Sequence, residues 1–356
     1  MSRFFSDKYA ALTPYVPGEQ PKDMQYVKLN TNESPFSLPQ SAVDAVADEV
    51  TKLQLYSDPE CTKLIEKAAS VWGVKKSQIL FTNGSDEILN FAIMAFCDKN
   101  HSVVFPDITY GFYTVFADLN GVPYEKIPLK ADFSVDYHDY IGINKNVIIA
   151  NPNAPTGLAL TRAQIEEILK SNPDNVVVID EAYVDFGGES CVPLIEKYEN
   201  LLVTQTFSKS RSLAGGRLGV GFACEKLIAD LNTIKYSTNP YNVNRMTMAA
   251  GYAALCEEEW FENNLNTIFE NRAYTTAKLK EMDFEVLDSK TNFVFARCDK
   301  IEGAKLYEKL KARGVLVRHF NNERIKQFNR ITIGTKEQMD VFLKNVQEIL
   351  DEEENR

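Results

Sequence analysis

Apolar positions fall into three patterns along this chain. Through residues 1–40 they are isolated among polar ones, and Pro14, Pro17, Pro21, Pro35 and Pro39 interrupt every long element, as in an extended arm. Residues 41–53 carry Val43, Val46, Ala47, Val50 and Leu53 at helical spacing, and CTKLIEKAASVWG predicts a second helix ended by Gly73. Short apolar runs then alternate with helical stretches. Strands are predicted at 79–82, 102–105, in NVIIA, in VVVI (176–179) and in LLVTQT (201–206), with VPYEKIPL as an exposed strand. DEILNFAIMAFC, the stretch after PDITYGFY and the Thr161/Gln164 capping pair mark the intervening helices. Unbroken β-branched runs of this length suit strands buried on both faces of a parallel sheet that helices cover.

From Glu225 onward the pattern changes. A helix to about Tyr236 leads to the break STNPYNVN, and a helical run then spans 245–282 with only local interruption. FEVLDSKTNFVFARC, AKLYEKLKARG, VLVRHF, RITIGT and EQMDVFLKNVQEIL alternate strand and helix again, before the charged tail DEEENR. The whole predicts an α/β protein with a large, mostly parallel sheet flanked by helices, plus a smaller α/β domain. The expected division is an arm at 1–40 that joins the small domain, a large domain at 41–240 and the small domain at 241–356.

Composition narrows the function classes. A net charge of -11 opposes binding to nucleic acid or to an anionic membrane surface, and no run approaches the length of a membrane span. No signal peptide is recognisable, and six scattered cysteines without a CxxC pair suit reduced thiols in the cytoplasm. Three histidines, none spaced with another, give no metal site.

The chemistry gathers where the runs end. VVVI breaks at Asp180, Glu181 and Tyr183; LLVTQT breaks at Ser208 and Lys209, with Arg217 eight residues on. Parallel sheets bind ligands outside the carboxyl ends of their strands, so an acid and a lysine at two such ends meet one ligand. Asp180 at a buried strand end demands a cationic partner. Arg217, in GGRLGVG, suits a buried anion. Gly84 and Ser85 stand where a strand turns into a helix N-terminus, a position receptive to phosphate. An amine able to form a Schiff base, an acid for a protonated ring nitrogen and a cation for phosphate are what a pyridoxal phosphate enzyme requires. Competing motifs are missing. DEAY lacks a companion GxxxxGK[ST], LAGGRLGVG contains no GxGxxG and is expected to lack a following strand–turn–helix, and no GxSxG is present.

An ordered set of motifs then carries a resemblance over nearly the whole chain: LTPYVPG, LNTNESPF, LYSDPE, TNGSDEIL, PDITYGFY, NPNAPTG, VVVIDEAYVDF, TFSKSRSLAGGRLG, NPYNVN, TNFVFAR and NRITIG. The sequence resembles the fold-type I aminotransferases, and among them the histidinol-phosphate aminotransferase family. That resemblance implies pyridoxal 5'-phosphate held covalently by Lys209, with Asp180 on the ring nitrogen, Tyr183 on the ring oxygen and Tyr110 stacked on the ring. Gly84, Ser85, Asp86, Thr206, Ser208 and Arg217 would surround its phosphate. Where relatives read N-N-P-T-G this chain has Ala154 before the proline, so either Asn153 bonds the ring oxygen or Tyr183 holds it largely alone. Arg330 and Arg318 would receive the substrate's anionic group, with Tyr15 and Asn32 closing over it. Tyr56 would reach the phosphate in a partner subunit, which implies a homodimer. The resemblance implies transamination between histidinol phosphate/imidazole-acetol phosphate and glutamate/2-oxoglutarate. Alternatives on the same motifs are an aromatic amino acid aminotransferase and a threonine-phosphate decarboxylase-like lyase. A non-catalytic cofactor-binding regulator is opposed by the charge and by motifs that begin by Leu12.

Overall fold

In the computed structural model, which describes residues 2–355, the chain opens with a long extended arm that ends in β1 (Val27–Lys28). Helices α1 (Gln40–Val50) and α2 (Thr62–Trp72) follow. The first helix stops short of the expected Leu53, which lies exposed beyond it. Then strands and helices alternate: β2 (Ile79–Thr82), α3 (Ser85–Phe96), β3 (Val103–Pro106), α4 (Phe112–Asn120), β4 (Tyr124–Ile127), β5 (Asn146–Ala150) and α5 (Arg162–Ser171). The series continues with β6 (Val177–Asp180), β7 (Leu201–Thr206), β8 (Gly219–Ala223) and α6 (Glu225–Thr238).

These strands form one seven-stranded sheet in the order β2-β8-β7-β6-β5-β3-β4. From β7 through β4 neighbours are parallel, while β8 runs antiparallel to both β7 and β2. Every residue of β2, β3, β5, β6, β7 and β8 is buried, because apolar clusters cover both faces. That double burial explains the unbroken apolar runs; each fully buried Val, Ile or Leu contributes roughly 1.5–3 kcal/mol. The expectation that no strand–turn–helix follows LAGGRLGVG is corrected, since β8 passes through Cys224 straight into α6. The glycines nevertheless precede the strand (Gly215, Gly216) or lie within it (Gly219, Gly221) instead of forming its turn into the helix, so they build no dinucleotide cradle.

The long helical run divides at Glu257 into α7 (Arg245–Cys256) and α8 (Glu258–Glu281), where Glu257 leaves helical geometry (φ -101, ψ 67). Beyond it lie β9 (Phe284–Val286), β10 (Phe293–Cys298), α9 (Gly303–Ala312), β11 (Val315–Leu316), β12 (Arg318–His319), β13 (Asn329–Thr332) and α10 (Lys336–Glu354). A four-stranded sheet orders β12-β13-β10-β9, and a separate apolar cluster including Val294, Ile331 and Phe342 packs against it. VLVRHF therefore supplies two short strands: β11 pairs in parallel with β1 of the arm, and β12 pairs with β13. Thr332 N–H also donates to Leu29 O at 2.9 Å, which ties the arm's end to the small sheet. Among the described residues no helix is long and apolar enough to cross a membrane, and no cluster of metal-ligating side chains occurs.

Candidate active site

At the carboxyl edge of the large sheet, β6 ends on Asp180, which is 4% exposed. Tyr113 Oη donates to its Oδ2 at 2.7 Å and Ala182 N–H to its Oδ1 at 3.2 Å. The cationic partner expected from sequence is not a protein group: no salt bridge to Asp180 occurs among the described residues. Burial pushes the carboxyl up to about 6, against the lowering effect of the Tyr113 hydrogen bond. A buried carboxylate served only by a phenol and an amide is prepared for a cationic ligand. Tyr113 was not singled out from sequence, although it stands in the first turn of α4 three residues after Tyr110, with the two ring centroids 5.7 Å apart. Glu181 faces the other way. It accepts from Cys191 N–H (2.5 Å), Ser190 Oγ (2.7 Å) and Gln205 Nε2 (2.8 Å), and burial pushes it up to about 7.

The raised pKa of Asp180 has a consequence for the cofactor-free protein. A carboxyl shifted upward by folding stabilises the fold below its unfolded value near 3.8, and that stabilisation is lost as pH rises through about 6. Asp180→Asn should therefore make the apoprotein more stable than wild type at pH 8, by on the order of 2 kcal/mol, with the gain vanishing towards pH 4. Denaturant unfolding of both apoproteins across that range measures it. An Asn variant less stable at pH 8 than at pH 4, relative to wild type, would contradict the assignment.

A second group forms where β2 turns into α3. Gly84 adopts φ +79 and leaves the helix without a side-chain cap, so first-turn N–H groups of Ser85 and Asp86 point outward unsatisfied by any cap. Two glycines permit the close packing here. A Cβ on Gly84 would stand 2.4 Å from Arg217 Nη2, and one on Gly219 would stand 2.3 Å from Ser85 N. The Arg217 guanidinium is exposed and pairs with Asp86 Oδ2 at 3.0 Å. Its Nη1 lies 3.5 Å from Ser208 Oγ, which Thr206 Oγ1 approaches at 3.0 Å. Asp86 also accepts from Tyr110 Oη at 2.8 Å, so its carboxylate serves Arg217 and Tyr110 while its backbone amide faces the turn.

Lys209 follows β7 in a tight turn whose flanks are fixed separately. Ser210 Oγ bonds Asp185 Oδ2 at 2.5 Å, and Ser212 Oγ bonds Ser34 Oγ at 2.8 Å. Arg211 is buried against the Phe261 ring at 4.0 Å and donates to Ala254 O. Lys209 Nζ donates to Thr31 O at 3.2 Å and makes no ion pair among the described residues. Tyr183 lies beside it, with its ring centroid 5.8 Å from Nζ and its Oη accepting from Asn32 Nδ2 at 2.9 Å. Asn32 is held in turn by Thr332 Oγ1, and Phe293 braces the Tyr183 ring edge-on. Asn153 is fully engaged. Its amide donates to Ile108 O and Thr156 Oγ1 and accepts from Thr109 Oγ1, leaving no free N–H in this arrangement.

Arg318 and Arg330 stand directly opposite each other across β12 and β13. Like charges in that register destabilise a sheet unless an anion lies between them. Neither has a carboxylate partner among the described residues. Arg330 Nη2 donates to Asn30 O at 3.0 Å, its Nε is buried without a partner, and both guanidinium groups lie 5.6 Å from the Phe320 ring centroid. Burial lowers the Arg330 pKa, and the facing Arg318 adds to the lowering. Tyr15 stacks on Phe112 at 4.2 Å and tilts towards Tyr110 at 6.3 Å; burial raises its pKa, with Arg318 and Arg330 opposing. Tyr56 is 80% exposed and stacks on Tyr241 at 4.6 Å.

Comparison with known proteins agrees over most of the chain. The family model described as "Aminotransferase class I and II" matches residues 24–346. A histidinol-phosphate aminotransferase of Brachyspira hyodysenteriae is 47% identical over 98% of this chain and 99% of its own. The crystal structure of the Clostridium acetobutylicum histidinol-phosphate aminotransferase superposes with a TM-score of 0.84 at 25% identity, covering 91% of this chain and 99% of that one. The Sinorhizobium meliloti enzyme of the same name, solved with pyridoxal-5'-phosphate, shares the fold with a TM-score of 0.90 at 21% identity, over 99% of each chain.

Proposed function

Because the chain belongs to the class I and II aminotransferases, and within them to the histidinol-phosphate aminotransferases, we propose that it exchanges an amino group between glutamate and imidazole-acetol phosphate, releasing 2-oxoglutarate and histidinol phosphate in histidine synthesis. The observation that carries the substrate is the Arg318–Arg330 pair, two cations set face to face without a protein carboxylate. One guanidinium suffices for a carboxylate; two suit a dianionic phosphate.

The residues fit pyridoxal phosphate. Asp180 is a buried carboxylate with no protein cation, the uncapped start of α3 offers amides beside Arg217, and Lys209 carries an amine with only a backbone acceptor. When bound, the cofactor supplies an aldehyde that accepts the amino group and a ring that holds the electron pair freed at the substrate carbon. Lys209 would hold the cofactor through Nζ and, once released, would use the same amine to take the proton from the substrate carbon and deliver it to the carbon on the other side of the shared nitrogen. Asp180 keeps a proton on the ring nitrogen, oriented by Tyr113. Tyr183 directs its phenol proton at the ring oxygen, because its own lone pair already accepts from Asn32. With the Asn153 amide engaged, Tyr183 holds that oxygen largely alone. The Ser85 and Asp86 amides, the Thr206 and Ser208 hydroxyls and Arg217 would bind the phosphate at the Gly84 turn, whose own N–H donates to Thr82 O at 2.9 Å, and Tyr110 would cover the ring. Tyr15 and Asn32 shield the substrate from water.

Tyr56 completes this set from a second subunit in our reading. Its 80% exposure supports a role across a twofold axis. Sedimentation as a monomer under assay conditions would sink that part. All six cysteines are unpaired, which supports a reducing, cytoplasmic setting. The function is tested by a two-stage turnover. Glutamate alone should bleach the cofactor's aldehyde absorption, and imidazole-acetol phosphate should then restore it; failure of the second stage would contradict the proposal.

A further inference from the structure

The arm crosses the substrate end of the site and is fastened from outside. Glu19 accepts a hydrogen bond from Tyr307 Oη on one carboxylate oxygen and from Lys311 Nζ on the other, both donors standing on α9. Burial alone would raise this carboxyl, but the Lys311 and Tyr307 hydrogen bonds outweigh it and hold it below the usual glutamate range. The Glu19 main-chain oxygen accepts from Asn30 Nδ2 at 2.9 Å, and the Asn30 main-chain oxygen is the acceptor for Arg330 Nη2. Next to Glu19, Gly18 lies so close that a Cβ there would stand 2.6 Å from Thr31 Cγ2 and 4.0 Å from Arg318 Nη1. The Tyr307 ring also stacks near His319, the neighbour of Arg318 in β12. Lys305 and Lys309 bind α9 to Glu352 and Glu353 of α10, so the anchor sits on a braced helix.

We propose that Glu19 is a positioning residue that latches the arm to α9 and thereby fixes the spacing at which Arg318 and Arg330 receive a dianionic group. This rests on the reading that those arginines take the substrate's phosphate. Glu19 need not touch the substrate. Its main-chain oxygen receives the Asn30 side-chain amide, while the Asn30 carbonyl occupies one Arg330 donor and Arg330 Nε stays without a partner. Releasing the latch frees the 15–33 segment, whose ordering must then be repeated at each binding event.

The test uses the full-length holoenzyme with Glu19→Gln and, separately, Lys311→Met. Each should raise the KM for histidinol phosphate about tenfold and raise the inhibition constant of inorganic phosphate in parallel, while kcat stays within about twofold. Each should also speed tryptic cleavage of the resting enzyme within the arm, and Glu19→Asp should restore part of the loss. Unchanged KM and phosphate inhibition in both variants would overturn the latch. So would a lowered KM in Glu19→Gln with Lys311→Met unaffected, since that pattern marks Glu19 as a competing charge. Arg330→Gln separates the two readings. If it leaves the KM for histidinol phosphate unchanged, the phosphate assignment fails, whereas the cleavage rate still reports whether Glu19 fastens the arm.

Discussion

Replacing Lys209 with alanine should lower the transamination rate by at least about ten-thousand-fold and leave the protein folded. No other amine stands in its place. Nζ lies beside Tyr183 with Thr31 O as its hydrogen-bond acceptor, and the turn that carries it is fixed by Ser210, Arg211 and Ser212 to three different parts of the structure. Those anchors survive truncation of a neighbouring side chain, so the loss should be chemical and not conformational. Cofactor should still bind through the α3 amides, Arg217 and Asp180, but dialyse away, because the covalent bond is gone. Stopped-flow absorption and denaturant unfolding separate the two effects. A Lys209→Ala protein that turned over at the wild-type rate would refute the mechanism, and one that failed to fold would refute the argument about the turn.

The second large effect concerns the arginine pair. Arg330→Gln and Arg318→Gln should each reduce kcat/KM for histidinol phosphate by about a hundredfold, the order expected when one of two cations facing a desolvated anion is removed. The variants should differ with glutamate. Arg330 has a buried Nε without a partner and lies against the Phe293 ring that braces Tyr183, so its loss should impair both half-reactions. Loss of Arg318 should weigh on the phosphorylated substrate, because a single carboxylate is satisfied by one bidentate guanidinium. Relieving the like-charge opposition between β12 and β13 should meanwhile leave each variant no less stable than wild type. Steady-state kinetics with each substrate, beside thermal unfolding, would show both. Equal losses for glutamate and histidinol phosphate in Arg318→Gln would contradict the division of labour.

Much of this arrangement is legible in the sequence, for identifiable reasons. Burial on both faces forces continuous apolar runs, so β5, β6 and β7 announce themselves, and the polar residues that end them are the ones the sheet presents to a ligand. The Gly84 turn is equally plain, because a positive φ ahead of a helix calls for glycine. Direction is different. β8 has the same apolar look as its neighbours yet runs antiparallel, since burial does not encode which way a strand points. Register is hidden too: nothing in VLVRHF or RITIGT reveals that Arg318 and Arg330 face each other, as that depends on how two distant segments pair. The same limit explains Asn153. The resemblance left open whether Asn153 or Tyr183 alone serves the ring oxygen, and partners from Ile108, Thr109 and Thr156, supplied by the fold, use the Asn153 amide up. Exposure of Arg217 and the role of Tyr113 likewise follow from packing between elements. Tyr113 could have been found from its three-residue offset to Tyr110; the exposure of Arg217 could not.

The central claim is that two opposed arginines select a phosphorylated amino substrate for a lysine-based amino transfer. Single-turnover mixing of the holoenzyme with histidinol phosphate, phenylalanine or threonine phosphate, following loss of the cofactor's aldehyde absorption, tests it most directly. Histidinol phosphate should react at least about tenfold faster than phenylalanine at equal concentration, and threonine phosphate should release no carbon dioxide. Phenylalanine outpacing histidinol phosphate, or carbon dioxide formed from threonine phosphate, would contradict it.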